Sequence, residues 1–339
     1  MFKYVARRLI QAIPLLFFIS LILFLLMQLT SDPLATLGGR QPPNPADRER
    51  LEKAFGLDQP VLIQYVYWLI GNDWVVVNEE TGQRGRRLGI LRGDFGTSFI
   101  TRQPALQVIL DRLPNTLLLM VTAQVVIVSV SLVVGIVAAL RQYSAFDNAL
   151  TTFAFITYSF PVFLMAYLLM FIFAVQFRQW GLPYLPTSGM FNPAVGRTFE
   201  QVAWHMILPV TTISLISIAG YSRFIRSAML EVINADYIRT ARAKGLAERR
   251  ILFVHGFKNA ALPLVTLIGL DLPFLLAGAV VTETIFAWPG MGRLFIDHLS
   301  RADFPVVMGL LLLIALAVVI FQILTDIVYT FLDPRIRLS

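Results

Sequence analysis

The chain has 339 residues, of which 57% are hydrophobic and only 14% are charged. Soluble domains carry about 25% charged residues, so this composition excludes an ordinary soluble protein and indicates several membrane-spanning segments. The net charge of +7 is spread over loops without a basic, aromatic-rich module, so we expect no nucleic-acid partner. The lack of cysteine excludes a disulfide, a thiolate metal site and a cysteine nucleophile.

Six apolar segments are long enough to cross a bilayer. A hydrocarbon core roughly 30 Å thick needs about 20 apolar residues in helix, because an unpaired backbone amide in lipid costs several kcal/mol. We therefore predict an all-α membrane protein with about six transmembrane helices. The first is interpreted as an uncleaved helix, because its apolar run is too long for a signal peptide. The six run approximately over Leu9–Leu29, Asn115–Leu140, Leu150–Phe177, Trp204–Phe224, Ala261–Thr282 and Phe304–Leu332.

The distribution of basic residues predicts that both termini are cytoplasmic. Arginine and lysine collect in short loops on the cytoplasmic side of a membrane, whereas loops longer than about 60 residues are translocated largely regardless of charge. With the N-terminus inside, the cytoplasmic side receives the basic stretch that follows the fourth span. It also receives Lys3, Arg7, Arg8, Arg141, Arg335 and Arg337.

The long connection between the first two spans is predicted to form a small external subdomain. It contains a short amphipathic helix near Ala46–Phe55, followed by β-branched runs that turn formers interrupt. We divide the chain into residues 1–29, the first helix with its cytoplasmic lead, residues 30–114, the external subdomain, and residues 115–339, the transmembrane core. Within the core, residues 225–260 form a cytoplasmic loop.

That cytoplasmic loop holds the most charged stretch of the chain, "ADYIRTARAKGLAERRILFVHGFKNAALP". Good helix formers predominate up to Lys244, and Tyr237, Ala241 and Gly245 share one side at i, i+4 spacing. Small residues on one face allow close docking to a partner, and Gly245 suits a left-handed helix cap. The same arginines would also suit a helix lying on anionic lipid, and the residues alone leave both interpretations open.

Two acidic residues of the fifth span are candidates for a substrate pathway. Asp271 lies inside the helix, where a charge costs about 3 kcal/mol on insertion scales, so it should face protein or water. The alternative interpretation is that it pairs with a polar group on a neighbouring helix or on a partner chain. Glu283 lies at the outer end of the same helix, where a hydrated position at the rim is the alternative interpretation.

The sequence lacks the motifs of common enzymes. There is no Gly-Lys phosphate loop, no His-Glu-x-x-His and no Gly-x-Ser-x-Gly, so we expect no bound cofactor, no metal site and no catalytic residue. The histidines His205, His255 and His298 are assigned to different loops or span ends and are interpreted as structural. An ion-coupled secondary transporter using Asp271 beside Pro273, and an intramembrane enzyme, are the alternatives to a subunit of a larger transporter.

Several segments together resemble the inner-membrane permeases of ATP-binding-cassette importers, in the dipeptide, oligopeptide and nickel branch. The resemblance covers nearly the whole chain. It is carried by "RRLIQAIPLLFFISLILFLL", "FGLDQPVLIQYVYWL", "RGDFGTSFITRQPALQVILDRLPNTLLL", "TETIFAWPGMGRLF" and "LDPRIR". The basic stretch resembles the loop with which such permeases contact their ATPases, with Ala241 and Gly245 at the positions of its alanine and glycine.

The resemblance has departures. Arg239 and Thr240 replace a glutamate and an alanine of the general pattern, and the Leu262-Pro263 ending comes five residues later than in it. "TSDP" stands where the family usually has Pro-Gly-Asp-Pro, and residues from about 72 to 88 resemble an insertion. The first two departures are typical of the peptide branch.

The resemblance implies a fold of the type I importer kind and a set of partners in a bacterial or archaeal cytoplasmic membrane. These are a second homologous permease, two ATPase subunits that carry the ATP hydrolysis, and an external binding protein. Short peptides are the implied substrates, with nickel chelates or oligosaccharides as alternatives. The implied ATPase-coupling residues are Tyr237, Thr240, Ala241, Lys244, Gly245 and Leu246.

Overall fold

A computed structural model of the chain describes residues 2–30, 48–49, 52–53, 56–78, 82–85, 87–251 and 262–332. Most of these residues are helical. The helices are α1 (Phe2–Thr30), α2 (Val61–Ile70), α3 (Ala105–Leu110), α4 (Leu113–Leu140), α5 (Ala145–Ser159), α6 (Val162–Met170), α7 (Phe199–Ile233), α8 (Asp236–Ala243), α9 (Leu262–Ile285), α10 (Met291–Leu299) and α11 (Phe304–Leu332). Four short helical segments complete the set: a 3-10 turn at Ile90–Arg92, a π-helical turn at Phe171–Gln176, and single α-helical turns at Phe177–Gln179 and Glu248–Arg250.

The chain divides into two compact units. Unit 1 comprises residues 115–292 with 320–339, and unit 2 comprises residues 2–114 with 293–319. The division of the sequence into residues 1–29, 30–114 and 115–339 stays a prediction. We describe the two units separately.

Five described segments are long and apolar enough to cross a membrane: Ala6–Leu29, Ala105–Leu140, Val162–Gln179, Phe199–Ile233 and Phe304–Val328. They coincide with five of the predicted spans, although their bounds differ. The predicted span over Ala261–Thr282 corresponds to α9, a helix of 24 residues. Its place in the membrane stays a prediction.

The predicted span over Leu150–Phe177 is wrong as a single helix. Helix α5 ends at Ser159, and α6 begins at Val162. Pro161 causes the break, because it has no N–H to donate and its ring forces the preceding residue out of helical geometry. Phe160 accordingly has φ −83° and ψ 128°, which is extended backbone. Beyond α6 the chain continues through a π-helical turn at Phe171–Gln176.

In unit 2, the C-terminal half of α1 packs against α2. Phe24 and Tyr65 are almost completely buried, and the Tyr65 hydroxyl lies 2.8 Å from Ser20 Oγ. Gln28 Nε2 also donates to Gln64 Oε1 at 3.0 Å, so polar side chains on both helices find partners away from water. The strands β1 (Val76–Asn78) and β2 (Gln83–Arg84) form an antiparallel pair, which agrees with the β-branched runs of the sequence. Most of the amphipathic helix predicted near Ala46–Phe55 lies outside the described residues, although residues 48, 49, 52 and 53 are helical.

A buried carboxylate fixes the segment that precedes α3. Asp303 is 0% exposed and accepts hydrogen bonds from Ser98 Oγ at 2.5 Å and the Phe99 backbone N–H at 3.1 Å. His298 Nδ1 lies 2.8 Å from it and must carry the proton, because a carboxylate only accepts. Burial raises the pKa of Asp303, but the hydrogen bonds from His298, Ser98 and Phe99 outweigh this and lower it.

Unit 1 is built around α7, which packs against α5, α6 and α9 and also contacts α4. Its core contains Leu119, Ile127 and Ile225, together with the completely buried Trp288. Gly135 lets α4 approach α7 closely, since a Cβ atom there would lie 2.8 Å from the Ser222 carbonyl oxygen. This close packing brings polar side chains of α4 and α7 within hydrogen-bond distance of each other.

Candidate functional site

The first residues of the predicted cytoplasmic loop, 225–233, continue α7 beyond the predicted end of the fourth span. The eight-residue helix α8 follows after a turn at Asn234–Ala235. Gly245 has φ 72°, so the predicted left-handed cap is confirmed. Its N–H donates to Arg242 O at 2.9 Å, and the Leu246 N–H donates to Ala241 O at 3.4 Å. This pair of bonds is a Schellman motif, which ends the helix at this point. The last part of the loop, residues 252–260 with His255, lies outside the described residues.

The predicted docking face of α8 needs one correction. Ala241 is only 8% exposed and packs with Ile238 and Ile251, against Val232 and Leu246 of the same chain. It therefore faces inward, because an isolated eight-residue helix must cover its apolar side. Of the six residues that the resemblance assigns to ATPase coupling, Tyr237, Thr240, Lys244 and Gly245 are exposed, Leu246 is partly exposed and Ala241 is buried.

Charged side chains surround the exposed face of α8. Arg242 Nη2 forms an ion pair with Glu248 Oε1 at 2.7 Å, and this hydrogen bond lowers the pKa of the Glu248 carboxyl. Arg239 lies 3.6 Å from Asp236 and is largely exposed. Both pairs are open to solvent, so they contribute little to stability and leave the guanidinium groups available at the surface.

A buried ion pair joins α5 to α7 close to this loop, and sequence reasoning missed it. Arg226 Nε and Nη2 donate to the two carboxylate oxygens of Asp147 at 2.6 and 2.7 Å. The Asp147 side chain is 3% exposed and also accepts from the Tyr143 N–H at 2.9 Å. Ser144 caps α5 by accepting from the Asp147 N–H. The Ser144-x-x-Asp147 pattern signals this helix start in the sequence, but nothing in it identifies Arg226 as the partner.

Asp271 contacts a neighbouring helix. The carboxylate interacts with the hydroxyl of Tyr221 on α7, and Gln124 Nε2 of α4 lies 3.4 Å from the same hydroxyl. Pairing with a polar group on another helix is one of the two roles that the sequence allowed. Asp271 itself is partly exposed, whereas Tyr221 is 3% and Gln124 is 8% exposed. Sequence reasoning did not bring these three residues together.

Glu283 is 0% exposed, so the expectation of a hydrated rim residue is wrong. Thr116 Oγ1 donates to Glu283 Oε1 at 2.7 Å, and the Gly292 N–H donates to Oε2 at 2.7 Å. Thr116 in turn accepts from the Met291 N–H at 2.7 Å. A Cβ atom on Gly290 would overlap the Glu283 carboxylate, so only glycine fits beside it. The carboxylate thus fixes the end of α9 to the start of α4 and to the first residues of α10.

Replacing Glu283 by glutamine should destabilise unit 1. The carboxylate accepts from Thr116 Oγ1 and from the Gly292 N–H, whereas the amide has only one acceptor oxygen, so at least one of these two hydrogen bonds is lost. We expect a loss of about 2 kcal/mol, seen as a lower melting temperature of the purified protein. Thr284→Val is the control, because the Thr284 hydroxyl bonds to Val280 O of its own helix. An unchanged melting temperature for Glu283→Gln would contradict the assignment.

Two histidines are described, and both are structural. His205 lies in α7 with Nδ1 2.7 Å from Gln201 O, and His298 pairs with Asp303. Within the described residues, no group of three histidine, aspartate or glutamate side chains could hold a metal ion.

Comparison with known proteins identifies the family. Residues 131–338 match the family described as "Binding-protein-dependent transport system inner membrane component", and residues 1–120 match the N-terminal family of the same systems. The chain is 37% identical over 338 residues to the oligopeptide transport system permease protein AppB of Bacillus subtilis, covering 99% of this chain and 100% of that protein.

Two further relatives have similar names. The dipeptide transport system permease protein DppB of Escherichia coli K12 is 36% identical over 359 residues, and the di/tripeptide permease protein DppB of Pseudomonas aeruginosa is 35% identical over 356 residues. Each alignment covers 99% of this chain and 99% of the relative. The chain therefore belongs to the family of multi-pass inner-membrane permease components of binding-protein-dependent, ATP-binding-cassette import systems.

Proposed function

We propose that the chain forms, together with a second homologous permease, the pathway through which an ATP-driven importer moves short peptides. The observation that carries this proposal is the full-length similarity to permeases named for oligopeptides, dipeptides and di/tripeptides. Nickel chelates and oligosaccharides remain the alternative substrates. The comparisons support a binding-protein-dependent permease and give no support to an ion-coupled secondary transporter.

ATP hydrolysis is proposed to take place on two separate ATPase subunits that bind at α8. The exposed side of this helix offers Tyr237, Thr240 and Lys244, and its capped end offers the uncovered backbone of Gly245. A short helix can transmit force only if its partner contacts it closely, and an exposed glycine permits that approach. On the opposite side of the membrane, a binding protein is proposed to deliver the substrate.

The proposed orientation places both termini and α8 in the cytoplasm and residues 30–114 outside. Single cysteines introduced at Glu248 and Gln83, both exposed, should then react from opposite sides of the membrane. In intact cells, an impermeant maleimide should label the cysteine at 83 and leave the one at 248 unlabelled until the cells are opened. Labelling of both in intact cells would refute this topology.

Asp271 is proposed to line the translocation pathway, because it keeps a partly exposed carboxylate in the midst of an apolar helix. Glu283 was the second candidate, but its complete burial and its hydrogen bonds favour a positioning role. We propose that it holds the end of α9 in place beside the pathway and does not contact the substrate.

Reconstitution of the complete importer tests the function. Proteoliposomes that contain both permeases and both ATPases should take up a labelled peptide only when ATP and the binding protein are supplied. Inactive ATPase subunits should abolish this uptake. Uptake that persists without ATP hydrolysis and follows an ion gradient would overturn the proposal in favour of secondary transport.

A further inference from the structure

Three polar side chains from three helices meet within the apolar part of unit 1. Gln124 lies well inside α4, Tyr221 well inside α7 and Asp271 well inside α9. Polar groups at such depth are costly in a membrane protein and are retained where they pair with one another or act on a substrate. The hydrogen bonds among the three therefore show which of their groups remain for a ligand.

The contacts have a defined direction. Gln124 Nε2 can only donate, so the Tyr221 hydroxyl accepts from it, at 3.4 Å. The hydroxyl has one hydrogen, and the Asp271 carboxylate that faces it can only accept. The hydroxyl therefore donates to Asp271. Gln124 Oε1 is left buried and, within the part of the chain that the structure describes, without a hydrogen-bond partner.

An unpaired amide oxygen differs from the other unpaired atoms of unit 1. Ser131 and Thr282 also have buried hydroxyls without a described partner, but a hydroxyl on a helix can donate to a backbone carbonyl one turn earlier after a simple rotation. An amide oxygen can only accept, and the N–H groups within a helix are already used by the backbone. Gln124 Oε1 therefore needs a donor from outside its own helix.

The cluster thus presents acceptors: the Gln124 amide oxygen and the Asp271 carboxylate, whose two oxygens can accept more hydrogen bonds than the one from Tyr221. Their chemical complement is a cation with several N–H donors and no acceptor, which describes a protonated primary amine. We propose that Gln124, Tyr221 and Asp271 form an intramembrane subsite for the N-terminal ammonium group of the transported peptide. This inference rests on the proposed function.

The Tyr221 hydroxyl has a positioning role in this subsite. It accepts from the Gln124 NH2 group and donates to Asp271, so that the amide group and the carboxylate lie on two sides of one hydroxyl. Tyr221→Phe removes that connection and keeps the ring. Ser222→Ala is its matched control, because it removes a hydroxyl from the next residue, where Oγ bonds to Ile218 O of the same helix.

The experiment uses the complete importer in proteoliposomes with labelled dialanine, whose single amino group is the N-terminal one. Asp271→Asn should lower ATP-dependent uptake by about tenfold or more, as expected for loss of the partner charge. Gln124→Leu and Tyr221→Phe should lower it by roughly threefold to tenfold, the range of an ordinary hydrogen bond. Ser222→Ala should stay within about twofold of the unmodified importer, because a bond within one helix does not face the ligand. ATPase activity stimulated by the loaded binding protein should persist in every variant.

The pH dependence separates ligand binding from a purely structural role. Uptake is measured between about pH 6.5 and pH 9, a range that spans the α-amino pKa of roughly 7.7–8.0. The ratio of unmodified to Asp271→Asn uptake should fall as the amine loses its proton, and the binding protein's own pH dependence cancels in this ratio. A ratio that does not change with pH, or full uptake by Asp271→Asn and Gln124→Leu, would overturn the subsite. Failure of the unmodified importer to move dialanine would instead overturn the proposed peptide function.

Discussion

Asp147→Asn should destabilise unit 1 more than any other single change considered for this chain. The substitution leaves the Arg226 guanidinium, whose side chain is 23% exposed, opposite a neutral amide in place of a bidentate carboxylate. Removing one member of a buried ion pair costs about 3–5 kcal/mol, and we expect a loss near the lower value because Arg226 keeps partial contact with water and one amide oxygen as acceptor. The melting temperature of the purified protein, and the fraction inserted in the membrane, should both fall.

A double variant and an exposed pair provide the controls. Asp147→Asn combined with Arg226→Met removes both charges and should recover most of the lost stability, since well-packed apolar groups can replace a buried pair at little cost. Asp73→Asn breaks a pair of the same bidentate geometry with Arg92, but in that pair the side chains are 45% and 36% exposed. Its melting temperature should hardly change. Equal effects of Asp147→Asn and Asp73→Asn would show that burial of the Asp147–Arg226 pair is not what stabilises the contact between α5 and α7.

Hydropathy and helix signals predicted much of the fold. The long apolar runs became α1, α4, α7 and α11, and the glycine after a lysine-containing turn became the Schellman cap at Gly245. The break at Pro161 was readable as well, since the residue before a proline avoids helical geometry. Averaging hydropathy over a window hides such a break, because Phe160 and Val162 are as apolar as their neighbours.

The inward face of α8 could not be predicted from spacing. Within this eight-residue helix, Ile238 and Ala241 share one side at i, i+3 spacing, and Tyr237 and Ala241 share another at i, i+4 spacing. Both spacings are compatible with a buried helix face, so the sequence does not choose between them. The choice depends on Val232 and Ile251, which lie outside the helix and cover Ile238. A small residue on a short helix is therefore equally compatible with docking to a partner and with packing against its own chain.

The surroundings of Glu283 and Asp147 depend on long-range contacts that a single sequence does not contain. Glu283 bonds to Thr116, which lies 167 residues earlier, and Asp147 bonds to Arg226, which lies 79 residues later. Each carboxylate has many apolar neighbours in sequence and only a few donors in space. From the sequence alone, a charged residue at the end of a span can be interpreted either as hydrated or as buried in an ion pair or hydrogen bond. Only the three-dimensional structure distinguishes the two.

Gly245→Val should separate the permease from its ATPases while leaving its own fold nearly intact. Gly245 has φ 72°, and no atom of the described chain lies within 4 Å of the position where its Cβ would be. Within the permease, the substitution therefore costs mainly backbone strain, of the order of 1–3 kcal/mol. If an ATPase contacts this exposed backbone, the valine side chain enters the interface, and recovery of ATPase subunits with the tagged permease should fall by at least about tenfold.

Gly181→Val is the matched control. Gly181 has φ 69° and equally open surroundings, so it carries the same backbone strain, but it lies in the loop after α6, on the proposed outer side. Gly181→Val should co-purify with a full complement of ATPase. Ala241→Glu should act differently from Gly245→Val. It would bury a charge among Ile238 and Ile251, so it should disturb the fold of the loop itself, whether or not an ATPase binds there. Full ATPase recovery and normal uptake for Gly245→Val would show that the ATPases do not bind at the cap of α8. In that case the valine side chain would be exposed to solvent and would contact no partner.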